Sequence, residues 1–381
     1  PDMSHLRTAL SPSAATIDPT PAAPTLTRRR RRRVAAATSG VLLLALAVTG
    51  CAAPAASSSS ASPDSLGTAS VALSWIKNYE FAGYYFADQN GDYTEAGFDK
   101  VDLIAGGCNT NSWDLVLSGQ AKMGLASDLT GITGAINDGA ELKIIGAQFV
   151  KNPVGFVSLA ANPIRTVADL TGKRIGVDAG GKLAVEAVLK ANDLPSDTVE
   201  FVSVPAGVDP LMNGEVDALI GFLTNYPIAV KNAGGDVVTM SFADANYAQF
   251  GDAVVVSEKD LTENREALKA IMKASIEGWN SALDEGTDAI ADIAMTYGGA
   301  DNGLDRQLQV DSAGVLPSFM LTPDTVKNGI FTLTPELIDQ AVSSLAAAGI
   351  TSDPGMFDTT LLEEVYAENP DLIPGFTVPA S

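Results

Sequence analysis

Histidine is almost missing from this chain: the only one among 381 residues is His5. Cysteine is nearly as scarce, with Cys51 and Cys108 alone. Positive charge is short as well, at 24 Lys and Arg against 46 Asp and Glu. Each shortage closes off some chemistry. Without imidazole beyond residue 5, the body of the chain has no His general base, no Ser/His triad and no His-ligated metal. Two cysteines supply neither a disulfide framework nor a four-cysteine zinc site. An acidic surface repels phosphates and anionic headgroups, which argues against nucleic acid as a partner.

What is present begins with six arginines, Arg28 to Arg33, followed by residues 34–50, which are apolar apart from Thr38, Ser39 and Thr49. A cationic stretch, an apolar stretch and small residues before a cysteine mark an export signal. Val48-Thr49-Gly50-Cys51 resembles a bacterial lipobox, in which the cysteine is acylated and becomes the mature N-terminus. The apolar run, at about 16 residues, is shorter than the roughly 20 that a spanning helix needs. The expectation is a signal peptide over 1–50, lipidation at Cys51 and a tether over 51–68, attached to the outer face of the cell membrane by acyl chains. Residues 1–50 hold seven of the basic and two of the acidic residues, so the mature chain keeps 17 basic against 44 acidic residues, a net charge of −27.

From residue 69 onward, short apolar segments alternate with helical patterns. Strands are expected at 71–75, 101–104, 122–126, 142–146, 154–160, 174–178, 199–204, 217–221, 237–240 and 253–257, which is the pattern of α/β sheets. Beyond Ser257 long amphipathic helices take over. One is expected over 262–283 with Thr262 as its N-cap, another over 334–348. A weak internal echo, LSGQAKMGL at 117–125 against MNGEVDALI at 212–220, suggests two similar lobes, although chance likeness between two αβ turns explains it equally well. In each copy a polar pair follows the strand, Ser127-Asp128 and Thr224-Asn225, at the carboxyl end where open α/β sheets place ligands.

Recognition residues concentrate in LSWIKNYEFAGYYF at 73–86, which holds six aromatics in a chain that is 6% aromatic overall. Stacking on such rings buries a flat ligand on two sides while an amide sets its orientation. Trp75, Asn78 and Phe81 are read as ligand-facing, Tyr85 and Phe86 as core. Two glycine pairs, Gly106-Gly107 and Gly180-Gly181, follow strands; they suit close approach of a ligand and tight turns alike, and neither matches a dinucleotide or phosphate loop. Cys108 is read as a packing or ligand-contacting residue, since no histidine stands ready to activate it. Lys77 and Lys182 lie near the expected cleft.

The run Trp75-Ile76-Lys77-Asn78-Tyr79-Glu80-Phe81-Ala82-Gly83-Tyr84-Tyr85, with GDYTEAGF at 91–98, DLTGKRIGV at 169–177 and Gly214-Glu215-Val216-Asp217-Ala218 leading to Thr224-Asn225-Tyr226-Pro227, resembles substrate-binding lipoproteins of ABC importers, in the branch that handles thiamine pyrimidine precursors and riboflavin. The resemblance covers roughly 70–260 and implies a two-lobed, hinged α/β fold of the periplasmic-binding-protein type II class with a helical C-terminal tail. Lobe I then takes 69–154 and 253–381, lobe II takes 155–252, and the chain crosses near 152–156 and returns near 250–253. It implies ligand contacts at Trp75, Asn78, Phe81, the loop carrying Cys108 and Asn109, Ser127, Asp128, Asp178, Gly180, Gly181, Lys182, Thr224, Asn225 and Tyr226. It also implies a permease and an ATPase as partners, a monomer, no cofactor and no catalysis. Lys77 and Phe81 depart from the usual proline and histidine, which tilts the ligand toward a riboflavin-like or other heteroaromatic ring.

The rivals are a receptor for nitrate, taurine or alkanesulfonates, which favours basic residues over aromatic walls, an enzyme of pyrimidine-precursor synthesis, and a purely structural lipoprotein without a cleft.

Overall fold

Ten short segments rich in Val, Ile, Leu and Ala form strands in the computed structural model, which describes residues 65–107, 110–177 and 179–379. The stretch read as an export signal, Cys51, Cys108, Asn109 and Asp178 lie outside the described residues. The strands make two five-stranded sheets. In lobe I the order is β2 (Lys100–Ile104), β1 (Thr68–Ala72), β3 (Met123–Ala126), β10 (Gly251–Ser257) and β4 (Leu142–Phe149). In lobe II it is β7 (Glu200–Ser203), β6 (Arg174–Val177), β8 (Ala218–Phe222), β5 (Val154–Leu159) and β9 (Val237–Ser241).

The two orders share one plan. A first strand lies between two parallel neighbours, β1 between β2 and β3, and β6 between β7 and β8. Next to the third strand runs an antiparallel one, β10 in lobe I and β5 in lobe II. Helices follow the parallel strands as right-handed crossovers require. The echoed segments occupy matching places: each ends a short helix on a left-handed glycine, Gly119 at φ 73° and Gly214 at φ 72°, and each leads into the third strand of its lobe.

All ten expected strands are present, with ends shifted by a few residues. The largest shift is in β1, which opens at Thr68, inside the segment read as tether. Leu66 donates its N–H to Gly97 O at 2.9 Å and Asp99 donates to Gly67 O at 2.8 Å, which pins this entry to lobe I. The long helix also differs from its expectation. A first helix, Glu258–Glu263, is capped by Ser257, whose hydroxyl accepts from Asp260 N, and the chain breaks at Asn264 before helix Arg265–Glu285. Thr262 is therefore not an N-cap. The helix expected over 334–348 spans Pro335–Ala347 and is capped by Thr334, whose hydroxyl accepts from Leu337 N.

Two connections join the lobes, between β4 and β5 and between β9 and β10. Asn152 laces them together: its side-chain N–H groups donate to Phe250 O at 2.7 Å and to Ser127 O at 3.2 Å, and its Oδ1 accepts from Val154 N at 2.8 Å. Around the lobe I sheet, Tyr79, Phe81, Tyr84, Tyr85, Tyr93 and Trp279 are fully buried. Helix Ala82–Asn90 crosses helix Arg265–Glu285 through two glycines. A Cβ on Gly83 would sit 2.2 Å from Trp279 Cγ, and one on Gly278 would sit 2.1 Å from Gly83 O. Only glycine lets the backbones approach this closely.

Candidate ligand-binding cleft

Strand ends converge on a single large cleft of about 1430 Å3. From lobe I, β1 is followed by Ser74 and Trp75, β2 by Gly107, Thr110, Asn111 and Trp113, and β3 by Ser127 and Asp128. From lobe II, β6 is followed by Gly181, β7 by Val204, Pro205 and Ala206, and β8 by Asn225 and Tyr226. Both sheets thus present their carboxyl ends, where open α/β sheets bind ligands.

Besides Phe222 on β8, three half-buried rings stand on the walls, Trp75 and Trp113 from lobe I and Tyr226 from lobe II. Gly106 holds the Trp75 loop: its N–H donates to Trp75 O at 2.9 Å, and a Cβ there would lie 2.4 Å from Leu73 O. Glycine also seats the other two rings. A Cβ at Gly131 would be 3.0 Å from Trp113 Cη2, and one at Gly221 would be 2.7 Å from Tyr226 Cδ2.

Of the residues singled out from sequence, Trp75, Ser127, Asp128, Gly181, Asn225 and Tyr226 line the cleft. Asn78 and Phe81 do not. Asn78 is buried and its Oδ1 accepts from Glu80 N at 2.8 Å, capping the short turn Tyr79–Phe81, while Phe81 is wholly inside the lobe I core. Lys182 is not among the lining residues; it lies 3.8 Å from Glu186, which is, and 5.3 Å from the Phe201 ring centroid. Gly180 lies with Gly181 in the first turn of helix Ala179–Ala191. Thr224 is fully buried, and its hydroxyl meets the Tyr79 hydroxyl at 2.6 Å, a bond from one lobe to the other.

Asp128 and Asn225 hold matching positions with different partners. Asp128 Oδ1 accepts from Thr130 N at 2.6 Å and caps helix Leu129–Asn137. Asn225 precedes helix Tyr226–Asn232 without capping it, and its Oδ1 is buried with no hydrogen-bond partner. A buried amide oxygen left unpaired is costly, so this one is available to a donor that enters the cleft.

Sequence reasoning passed over Ser74, Glu80 and Trp113. Glu80 is 3% exposed and borders the cleft; behind it stands Asp252, fully buried on β10. Ser74 Oγ donates to Asp252 Oδ1 at 2.6 Å and lies 3.4 Å from Glu80 Oε1, and Gln148 Nε2 donates to Asp252 Oδ2 at 3.3 Å and to Glu80 O at 2.9 Å. Burial, then the facing Asp252, pushes the Glu80 carboxyl well above the usual carboxylate range. Burial pushes Asp252 up to about 6. The signal for Glu80 was its place in an aromatic run, where a solvated charge is out of keeping. Trp113 was legible as a tryptophan opening the helix after the Gly106-Gly107 loop. The charged residues among the described lining residues are four acids, Glu80, Asp128, Asp138 and Glu186, and one lysine, Lys190; Glu186 pairs with Lys182 outside the lining.

A family model described as NMT1/THI5 like matches residues 78–289, more than half of the chain. The chain belongs to the NMT1/THI5-like family. Among its curated relatives, the riboflavin-binding protein RibY of Chloroflexus aurantiacus is 26% identical over 308 residues, covering 76% of this chain and 83% of that protein. The formylaminopyrimidine-binding protein of Halalkalibacterium halodurans is 25% identical over 271 residues, covering 68% and 80%. A solved structure of similar fold is the putative sulfonate ABC transporter periplasmic sulfonate-binding protein SsuA of Methylobacillus flagellatus, with a TM-score of 0.55 at 16% identity, covering 84% of this chain and 98% of that one. This NMT1/THI5-like chain therefore has the two-lobed, type II periplasmic-binding-protein fold, and both curated relatives carry the names of binding proteins. No helix among the described residues is long and apolar enough to cross a membrane.

Proposed function

We propose that this protein is an extracytoplasmic solute-binding lipoprotein of an ABC importer, which captures a planar heteroaromatic ligand between its lobes and hands it unchanged to a permease served by an ATPase. The observation that carries this reading is the cleft itself. It is bordered by strand ends of both sheets, walled by Trp75, Trp113 and Tyr226, and lined by far more carboxyl than ammonium groups. Ring faces suit a flat apolar body, and acceptor-rich edges suit its N–H groups. Two of the curated relatives are named for binding riboflavin and formylaminopyrimidine, which fits the same chemistry.

The cleft volume exceeds the roughly 300–1,000 Å3 of most filled ligand sites, which supports lobes that close further on a ligand about the two connections laced by Asn152. The lobes are taken as 69–154 with 253–381 and 155–252. A sulfonate or nitrate receptor is the second reading; the acidic lining opposes it, because a compact anion seeks Arg, Lys or clustered amides. Catalysis of pyrimidine-precursor synthesis is disfavoured by the lack of any histidine after His5. The export signal and lipobox support attachment to the outer membrane face through Cys51.

The test is to denature the purified protein, identify co-purified small molecules by mass spectrometry, and run a thermal-shift panel of riboflavin, aminopyrimidines, taurine, alkanesulfonates and nitrate. Stabilisation by a ring compound is the expected result; stabilisation by an anion alone would return the second reading. Replacing Cys51 by serine is expected to release the protein from the membrane fraction, and unchanged partition counts against the anchor.

A further inference from the structure

Three consecutive residues at the carboxyl end of β8 reach out of lobe II. The Phe222 ring meets the Phe149 ring of β4 edge to face, with centroids 6.0 Å apart. Leu223 donates its N–H to Pro153 O at 2.8 Å, in the connection between β4 and β5. The Thr224 hydroxyl meets the Tyr79 hydroxyl at 2.6 Å. The first two contacts lie on or beside a covalent connection and follow from the path of the chain. The third does not, because Tyr79 belongs to the short turn after β1, distant in sequence from both connections.

Both partners of this third contact are sealed from water, with Tyr79 1% exposed and Thr224 0%. Parting the lobes at this level would strand two buried hydroxyls, and a buried polar group left unpaired is costly. Tyr79 is also fixed from behind. Its N–H donates to Gln309 Oε1 at 2.9 Å, and Gln309 is buried on helix Arg306–Val315 of the tail. That helix packs against both the Tyr79–Phe81 turn and the lobe II helix Tyr226–Asn232. On the far side of the bond, Thr224 stands two residues before Tyr226, whose ring lies over Gly221 on the cleft wall. A line of contacts thus runs from the tail through Tyr79 and Thr224 to a ring that borders the cavity.

We propose that the Tyr79–Thr224 bond is a third, non-covalent connection between the lobes, and that Tyr79 is a positioning residue, holding the end of β8 and with it the Tyr226 ring against the lobe I wall. Tyr79 touches no ligand in this role. It limits how far the ligand-free lobes part, and so raises the fraction of molecules in which Tyr226 already faces Trp75. The inference goes beyond the ligand reading above, since it requires lobes that move and no particular ligand.

The experiment is small-angle scattering and amide hydrogen exchange on the purified, ligand-free protein. Tyr79→Phe keeps the ring and removes only its hydroxyl, and Thr224→Val removes the bond from the other side at nearly constant volume. Each is expected to raise the radius of gyration and to speed exchange over 222–226, and the double variant to open no further than either single one. Tyr93→Phe is the matched control, because Tyr93 and Ser275 share a buried hydroxyl bond of 3.0 Å wholly inside lobe I. It should lower the melting temperature while leaving the radius and the exchange over 222–226 at their wild-type values. Riboflavin and 4-amino-2-methylpyrimidine are then titrated by calorimetry, and a probe that binds the wild type should bind Tyr79→Phe about fivefold more weakly. Should one single variant fail to fold by circular dichroism, the other decides. Wild-type radius and exchange in the variants, the same changes in Tyr93→Phe, additive opening in the double variant, or an unchanged affinity overturns the inference. A wild type that binds neither probe overturns the heteroaromatic reading instead, and scattering and exchange then judge this inference alone.

Discussion

The two lobes repeat one strand order, yet they use the end of the third strand differently. In lobe I, Asp128 closes β3 by capping the next helix. In lobe II, Asn225 follows β8, caps nothing, and keeps a buried oxygen without a partner, while Thr224 reaches across to Tyr79. One topological position serves folding in the first lobe and leaves an unpaired oxygen beside the cleft in the second. Lobe I is also the heavier half, with an aromatic-rich core and the helical tail, whereas one cluster of lobe II is wholly aliphatic, made of Val157, Leu211, Val216, Leu219 and Val230. Lobe I behaves as the platform and lobe II as the mobile jaw in the proposed closure.

The sharpest way to break this comparison is at the helix crossing that only lobe I has. Gly83→Ala drives a methyl into Trp279 and is expected to cost about 3 kcal/mol, read as a lowered denaturant midpoint; an unchanged midpoint would mean the crossing has slack. Next are the facing rings. Trp75→Ala and Tyr226→Ala should each weaken a ring ligand by roughly thirtyfold, and unequal losses measured by calorimetry would say which lobe carries the stacking. The matched left-handed glycines come third: Gly119→Ala and Gly214→Ala should each cost about 1–2 kcal/mol. A large difference between them in chemical denaturation would deny their equivalence. The smaller contrast lies in the caps. Asp128→Ala is expected to cost about 1 kcal/mol of stability, whereas Asn225→Ala should leave the melting temperature nearly unchanged and reduce ligand affinity instead.

Acid–base behaviour separates two buried or half-buried carboxyls, one from each lobe, in sign. Asp252 in lobe I has its folded pKa raised from 3.8 to about 6, so the folded state holds its proton over a range where the unfolded chain has lost it. Stability from this group is full below about 4 and is lost as pH rises through about 6. In lobe II the Arg174 guanidinium, at 3.0 Å, holds Asp217 below the usual carboxylate range, so its contribution is present at neutral pH and lost in acid. Thermal melts of Asp252→Asn and Asp217→Asn across this range should therefore diverge in opposite directions, and parallel curves would refute the assignment.

Strand positions were legible because apolar segments bounded by Gly, Asn and Pro give a period that local sequence carries, as at 142–146 and 174–178. The register of the echo was legible for the same reason, since a left-handed glycine before a strand leaves a mark in sequence. What each aromatic faces was not. Trp75 and Phe81 are six residues apart in one run, and the turn capped by Asn78 sends one to the cleft and the other into the core. The position of Trp113 after the Gly106-Gly107 loop was legible, but the seating of its ring on Gly131 is a contact made only on folding. Glu80 escaped because its partner, Asp252, is 172 positions away in the numbering and belongs to a strand that returns from the other lobe.

The hydroxyl pair Tyr79–Thr224 sits one residue from Glu80 on one side and one from Asn225 on the other. In the proposed closure about the connections laced by Asn152, this bond holds the two walls together at its own level, so the lobes part and meet mainly elsewhere along the cleft. On that reading a guest is met first by the groups beside the bond, in nearly their final places, and is gripped at its far end only afterwards.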